Sequence, residues 1–339
     1  KTALPGYFNV HTHICMDCSA DPHATLARQP VAELAVATAK RAERALYGGV
    51  TTIRDAGGAH HVDIAIQQMI EAGVLSGPTM HAAGRVICVT GGHGFWLGRE
   101  ADGPDEVRKA TREQLKAGAR VIKLMATGGI MTERSRPGAS QLTEAELRAA
   151  VEEAHKAGCR TFAHVEGTEG MLNCVRAGVD CIEHGYWMAE EAAELMLSRG
   201  TAYTPTLTAD VRLLEHGAEA GIPRYVIDKL APIIDVLYES FALACRMGLP
   251  ITCGTDAGTA FNPIEDVPAE FELMVKLGMT PAQALATTGT SARVMGLVDR
   301  GFLRPGLLAD IVVLDGNPLE DIRHTWDVEM VFKAGQRVR

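Results

Sequence analysis

The chain has 339 residues, 47% of them hydrophobic and 22% charged, which suits a large buried core and a single barrel of about 250 residues with an appendage. The formal net charge is −9 and no basic run occurs, arguing against a nucleic-acid or anionic-membrane partner. No apolar stretch reaches the roughly 20 residues of a membrane span, no leader peptide is visible, so a cytoplasmic location is expected, and eight cysteines are too few at this length for a disulfide framework.

Apolar, strand-like runs alternate with helical patterns along the chain. Runs at 7–13, 51–55 and 79–83 are the first three predicted strands, with an amphipathic helix at 31–47 after the first. Cys15-x-x-Cys18 lies just beyond the first strand, a lone pair with no second pair to complete a zinc knuckle. A helix at 104–117 leads into a fourth strand at 121–125. A helix at 144–157 leads into a fifth at 160–164; Thr143 and Glu146 form its capping box and Gly158 closes it. The sixth, seventh and eighth strands are expected at 181–184, 202–206 and 251–255. Such alternation with short links predicts a parallel sheet with right-handed crossovers, and eight units close into a (β/α)8 TIM barrel. Two more helices follow at 268–277 and 281–295, the second opened by Thr280-Pro281. The tail then changes character, with strands at 311–314 and 331–338 and the turn Asp315-Gly316-Asn317-Pro318 after the first. A tail this small does not fold alone, and no evident partner strand precedes Tyr7. The organisation read from the sequence is a barrel over residues 1–303. Residues 304–339 are read as strands of a small β-sandwich appendage whose N-terminal strands are missing.

Metal-ligating residue types recur at the predicted strand ends. His11-Thr12-His13 ends the first strand, where residues two apart point to one side and can reach one metal. His164 ends the fifth strand, His184 the sixth, and Asp256 follows the eighth. Each alone is more often a structural residue, but barrel enzymes build their sites at the C-terminal ends of strands. Four histidines and an aspartate there suit zinc or a similar divalent ion. Lys123 lies within the fourth strand. A desolvated lysine is more easily neutral and can take up carbon dioxide to give a carbamate that bridges two cations; the plainer alternative is a lysine paired with Asp256 or Glu183.

In combination, Pro5-Gly6-x-x-Asn9-Val10-His11-Thr12-His13, Lys123, His164, His184 and Thr255-Asp256 resemble the binuclear amidohydrolase superfamily. The tail Arg304-Pro305-Gly306-Leu307-Leu308-Ala309-Asp310-Ile311-Val312-Val313-Leu314 with Asn317-Pro318-Leu319 is similar to that superfamily's C-terminal signature. Within it, Gly91-Gly92-His93-Gly94 and Lys123-Leu124-Met125-Ala126-Thr127-Gly128-Gly129 look most like the prolidase-like dipeptidases and amino-acid carboxypeptidases, which stand near imidazolonepropionase. The resemblance implies two divalent metal ions, zinc by default, with His11, His13 and Asp256 on the more buried one and His164 and His184 on the other. N6-carboxylysine at Lys123 and a hydroxide would bridge them. One departure is Asn9, where the superfamily usually has an aspartate.

The expected reaction is hydrolysis of the amide bond of a dipeptide or N-acyl amino acid by that hydroxide, with Asp256 moving the proton. Ring opening of a cyclic amide such as an imidazolone or hydantoin is the alternative; a non-catalytic binding protein on the same fold is a third reading that the full ligand set disfavours. His93 is a candidate hydrogen-bond donor to the substrate carbonyl or carboxylate, and Arg136 a candidate carboxylate clamp. Glu133 and Arg134 share its charged loop, and Tyr186, Glu166 and Trp96 are placed to shape the pocket. The partner is then a small peptide-like substrate, and barrels of this kind commonly form homo-oligomers.

Overall fold

A computed structural model describes the whole chain, Lys1–Arg339. β1 (Thr2–Pro5) and β2 (Tyr7–Thr12) open it, followed by β3 (Val50–Asp55), β4 (Thr79–Ala82), β5 (Val86–Cys88), β6 (Gly98–Glu100) and β7 (Val121–Met125). Next come β8 (Arg160–Glu166), β9 (Cys181–Tyr186) and β10 (Ala202–Thr204), and the tail adds β11 (Ile311–Leu314), β12 (Val328–Lys333) and β13 (Gln336–Arg337). One parallel sheet has the order β2-β3-β4 and the other β10-β9-β8-β7-β5-β6. Every residue of β2, β3, β7 and β9 is buried, as parallel strands covered by helices require.

The helices between the strands form for ordinary reasons. Val31–Tyr47 buries Leu34, Thr38, Ala42, Ala45 and Leu46, a stripe at helical spacing that faces the sheet; full burial of Leu34 alone contributes about 1.5–3 kcal/mol. Glu144–Lys156 opens on the expected reciprocal capping box of Thr143 and Glu146, and Pro281–Val294 on a second one, Thr280 with Gln283. No helix is long and apolar enough to cross a membrane, and the eight cysteines are all free thiols.

Backbone hydrogen bonds link the two sheets, directly on one side and through the segment 250–257 on the other. Arg120 N donates to Ala82 O at 3.0 Å, Val10 N to Cys253 O at 2.9 Å, and Tyr203 N to Pro250 O at 3.0 Å. The expected eighth strand at 251–255 is instead an irregular segment between β10 and β2, touching them through lone parallel bridges, Tyr203 with Ile251 and Thr12 with Ala257. Side chains have taken over its ladder: Cys253 N donates to Ser291 Oγ and Thr255 N to Asn9 Oδ1, both at 3.0 Å. Asp256 then turns into the left-handed region, with φ of 54°.

The tail also departs from expectation. It is a single four-stranded antiparallel sheet, β1-β11-β12-β13, not a two-sheet sandwich, and a partner strand does precede Tyr7. Thr2 lies opposite Leu314 and Pro5 opposite Ile311; β1 is an edge strand that ends on its proline, where no ladder N–H is lost. The continuous strand expected at 331–338 is a hairpin. Ala334 and Gly335 have φ of 49° and 81°, the pair of positive values that a tight turn matched to strand twist needs. Val312, Leu314, Val328 and Val331 of this sheet join the main hydrophobic core.

Candidate metal centre and active site

The strand ends bring the sequence-predicted ligands together. His11 lies in β2, His13 just beyond it, Lys123 in β7, His164 in β8 and His184 in β9. Ring centroids are 5.6 Å apart for His11 and His13, 5.0 Å for His11 and His184, and 4.6 Å for His164 and His184. Asp256 Oδ1 lies 3.3 Å from His11 Nε2 and 3.4 Å from His13 Nε2. Lys123 Nζ lies 3.2 Å from the same His11 nitrogen. One ligand atom each from His11, His184 and Asp256 fall within 4.8 Å of one another. Both His184 (φ 67°) and Asp256 (φ 54°) are left-handed, a strain on the order of 1–3 kcal/mol each that surrounding packing must hold.

Partners on the far side of each ring set the tautomers. His13 Nδ1 lies 3.0 Å from the Gly57 carbonyl, which can only accept, so the proton is on Nδ1. His184 Nδ1 lies 2.7 Å from Thr206 Oγ1, whose own hydrogen goes to Pro205 O; Nδ1 is again the donor. His11 Nδ1 donates to Glu183 Oε2 at 2.7 Å. In all three rings Nε2 therefore carries a lone pair. His164 differs, since its Nε2 donates to Gly128 O at 3.2 Å and leaves Nδ1 free.

Lone pairs thus face lone pairs. His11 Nε2, His13 Nε2 and Asp256 Oδ1 converge, and that oxygen is buried with no hydrogen-bond partner. Buried acceptors aimed at one another are costly unless a cation lies between them. Imidazole nitrogens and carboxylate oxygen are the donor set of zinc and its neighbours, so the residues fit a divalent ion.

Burial also sets the charge states. It pushes His13 down to about 4 and His93 to about 3, with the Lys123 ammonium adding to both, and holds His11, His164 and His184 well below the imidazole range. Lys123 is pushed down to about 8 by burial, against the pull of Glu183 and Asp256. Asp256 is pushed up to about 6 by burial, with Lys123 opposing.

The remaining candidates divide. His93 stacks on His164 at 4.2 Å between centroids, and its Nδ1 is buried without a partner. Glu166 and Tyr186 line the cavity above the cluster, and Trp96 lines a neighbouring one. Arg136 is exposed, lines neither cavity, and its carbonyl accepts from Ala139 N at 3.2 Å; Glu133 and Arg134 are exposed beside it.

Several residues were not visible as site residues in the sequence. Asp210 sits in the first turn of Leu207–His216, where an acid reads as ordinary helix chemistry; it lines the cavity, accepts the Tyr186 hydroxyl at 2.8 Å and is pushed up to about 7 by burial. Arg54 donates to Glu183 Oε1 at 2.6 Å and stacks over Phe162 at 4.0 Å. Lys229 fastens the loop after β7, donating to Thr132 O and Ser135 O, both at 2.6 Å.

Strand-end histidines, a lysine and an aspartate thus meet in an α/β fold with parallel sheets, and His11, His184 and Asp256 are close enough together to hold a metal ion. The profile of the Amidohydrolase family matches residues 2–338, and the chain belongs to that family, whose members generally use metal ions. Among similar proteins is an ochratoxinase of Aspergillus niger, 30% identical over 98% of this chain and 75% of its own length. A Xaa-Pro dipeptidase crystallised with methionine in its active site superposes with a TM-score of 0.92 at 32% identity, over 100% of this chain and 87% of that one. A prolidase complexed with N-methylphosphonate-L-proline gives 0.90 at 32% identity, over 100% and 87%.

Proposed function

We propose that this chain is a binuclear metal-dependent hydrolase that cleaves the amide bond of a dipeptide or N-acyl amino acid. The observation that carries the reading is the convergence of three deprotonated acceptors, His11 Nε2, His13 Nε2 and Asp256 Oδ1, in a buried cluster beside Lys123. The frame proposed for it is a closed (β/α)8 barrel with segment 250–257 in the eighth position, supported by the bridges from β10 and β2 to that segment.

His11, His13 and Asp256 would hold one ion, and His164 and His184 the other. Lys123, fully buried and eased toward neutrality, is the residue to carry a bridging carbamate. Divalent ions held by these residues would supply a water acidified near neutral pH and a polarised carbonyl. Asp256 is the proton carrier: Oδ1 faces the cluster, and its carboxyl can take the proton of the attacking water and return it to the leaving amine. His93, neutral and stacked beside His164, donates one hydrogen bond to the scissile carbonyl oxygen. The amide-hydrolysing relatives, a dipeptidase and a prolidase among them, support a peptide-like substrate.

The test is reconstitution with zinc and bicarbonate, followed by a screen of dipeptides and N-acyl amino acids for amine release, with Lys123→Ala as the blank. Release from a related set of substrates, absent in the blank, is expected. Silence across the library with two metals bound per chain would overturn the peptidase reading.

A further inference from the structure

Asp256 is the one candidate ligand that no regular strand holds. His11, Lys123, His164 and His184 stand in β2, β7, β8 and β9, and His13 follows β2 directly. Asp256 belongs to the irregular segment 250–257 and is left-handed, with φ of 54°. A left-handed aspartate persists only where the surrounding structure over-determines it.

Two peptide planes meet at the Asp256 Cα, and fixing both fixes φ and ψ. The Asn262 side chain reaches both. One Nδ2 hydrogen goes to the Thr255 carbonyl at 2.7 Å, in the plane before the Cα. The other goes to Thr259 Oγ1 at 3.2 Å, and that hydroxyl donates to the Asp256 carbonyl at 2.7 Å, in the plane after it. A carbonyl oxygen only accepts, so the bond to Thr255 settles which atom of the amide is nitrogen. The ligand strand grips the next residue: Ala257 N donates to His11 O at 3.3 Å, and His13 N to Ala257 O at 2.6 Å.

Asn262 is fully buried, yet its Oδ1 has no hydrogen-bond partner. An idle buried acceptor is costly. An apolar side chain would avoid that cost but would leave the Thr255 carbonyl and the Thr259 hydroxyl unheld. The amide is presented from a closed turn, in which Gly258 N donates to Asn262 O at 2.9 Å and Asn262 N to Thr259 O at 3.2 Å. Asn262 lines neither cavity at the cluster, so its route to the site runs through Asp256.

We propose that Asn262 is a positioning residue for Asp256. Through the Thr255 carbonyl and the Thr259 hydroxyl it locks the left-handed backbone that aims Oδ1 at His11 Nε2 and His13 Nε2. The inference rests on the reading of Asp256 as a metal ligand and deepens it.

A double-mutant cycle on zinc affinity, read by competition with a chelator, tests it. Asn262→Ala is expected to weaken zinc binding about tenfold or more in the otherwise wild-type chain. In Asp256→Ala, where the ligand is already gone, it is expected to change zinc binding by less than about twofold, because residues that act through one another are not additive. An equal loss in both backgrounds, or no loss in either, would overturn the proposal. Thr259→Val breaks the same relay at its second bond with little change of shape, and it carries the cycle should Asn262→Ala not fold. Hydrogen exchange of the metal-free protein gives an arm that needs no zinc. Asn262→Ala is expected to speed exchange of the Ala257 amide about tenfold or more and to leave β7 and β8 as they were. Unchanged exchange at Ala257 would overturn the proposal. A wild-type chain that binds no zinc would sink the hydrolase reading, and the exchange arm would still decide what Asn262 holds.

Discussion

Glu183 holds His11 and Arg54 at once: Oε2 lies 2.7 Å from His11 Nδ1 and Oε1 lies 2.6 Å from the Arg54 guanidinium. All three side chains are buried. The carboxylate keeps the His11 proton on Nδ1, and Arg54, itself donating to Val10 O at 2.6 Å, keeps the carboxylate in place. Glu183→Gln leaves an acceptor for His11 but strips Arg54 of its counter-charge, and an unpaired buried charge costs about 3–5 kcal/mol. The expected result is a lower melting temperature together with zinc affinity weakened about 10- to 100-fold, read by competition with a chelator. Unchanged zinc affinity would mean that His11 is oriented by something other than Glu183.

That pair shows what the sequence could and could not disclose. The ligand types at strand ends were legible because each strand is a short apolar run that stops at a polar residue; β7 falls at Val121–Met125, where its apolar run predicts it. Glu183 stood one residue before His184 and read as a strand residue, because its partner Arg54 comes from β3 and only folding joins them. Asp210 was hidden in the same way, since its burial against Tyr186 is a tertiary fact, whereas Glu166 was placed at the pocket by its position just past a ligand strand. β1 was missed because four residues ending in proline carry no period, and the strand that pairs with it lies at the other end of the chain. The eighth-strand run at 251–255 had strand-like composition, but Ser291 and Asn9 side chains compete for its backbone.

Gly129 sits where no side chain fits. A Cβ there would lie 2.6 Å from His93 Cε1 and 2.7 Å from His164 Nε2. Its φ is not in the left-handed region, so Gly129→Ala costs little in backbone strain and acts by pushing the two stacked rings. A displacement of this kind near reacting groups lowers turnover by about 100-fold. The expected variant folds like the wild type by circular dichroism, binds its second zinc more weakly and loses turnover on that scale. Wild-type kinetics would show that the loop after β7 yields without moving His164.

Lys123 links stability to activity. Its folded value is about 8 against an ordinary 10.5. Between those values the unfolded chain binds the extra proton, so the metal-free protein gains stability as pH rises from 8 to 10.5 and bears the full penalty below 8. Lys123→Met removes that penalty, on the order of 3 kcal/mol at pH 7. Urea unfolding of the metal-free proteins should show the Met variant to be the more stable at pH 7, the gap closing toward pH 10.5. The same variant is expected to bind less than its full complement of zinc and to be inactive. A metal-free Met variant less stable than wild type at pH 7 would show that Lys123 is held by its carboxylate neighbours more strongly than burial opposes it.

Asp256 is the residue on which ligation and proton transfer both fall, and Asn separates them. Asparagine keeps an oxygen at the Oδ1 position, facing His11 Nε2 and His13 Nε2, so a cation can still be held between them. It cannot accept and return a proton near neutral pH. General acid–base assistance contributes about 10²- to 10⁴-fold, so Asp256→Asn should lower kcat on that scale while metal content by atomic absorption stays near the wild-type value. The ascending limb of the wild-type pH–rate profile should also be lost if the limb reports this carboxyl. Near-normal kcat with metal bound would remove Asp256 from proton transfer and leave it as a ligand alone, and the acid would then have to be sought among the other groups lining the cavity above the cluster, Asp210 first.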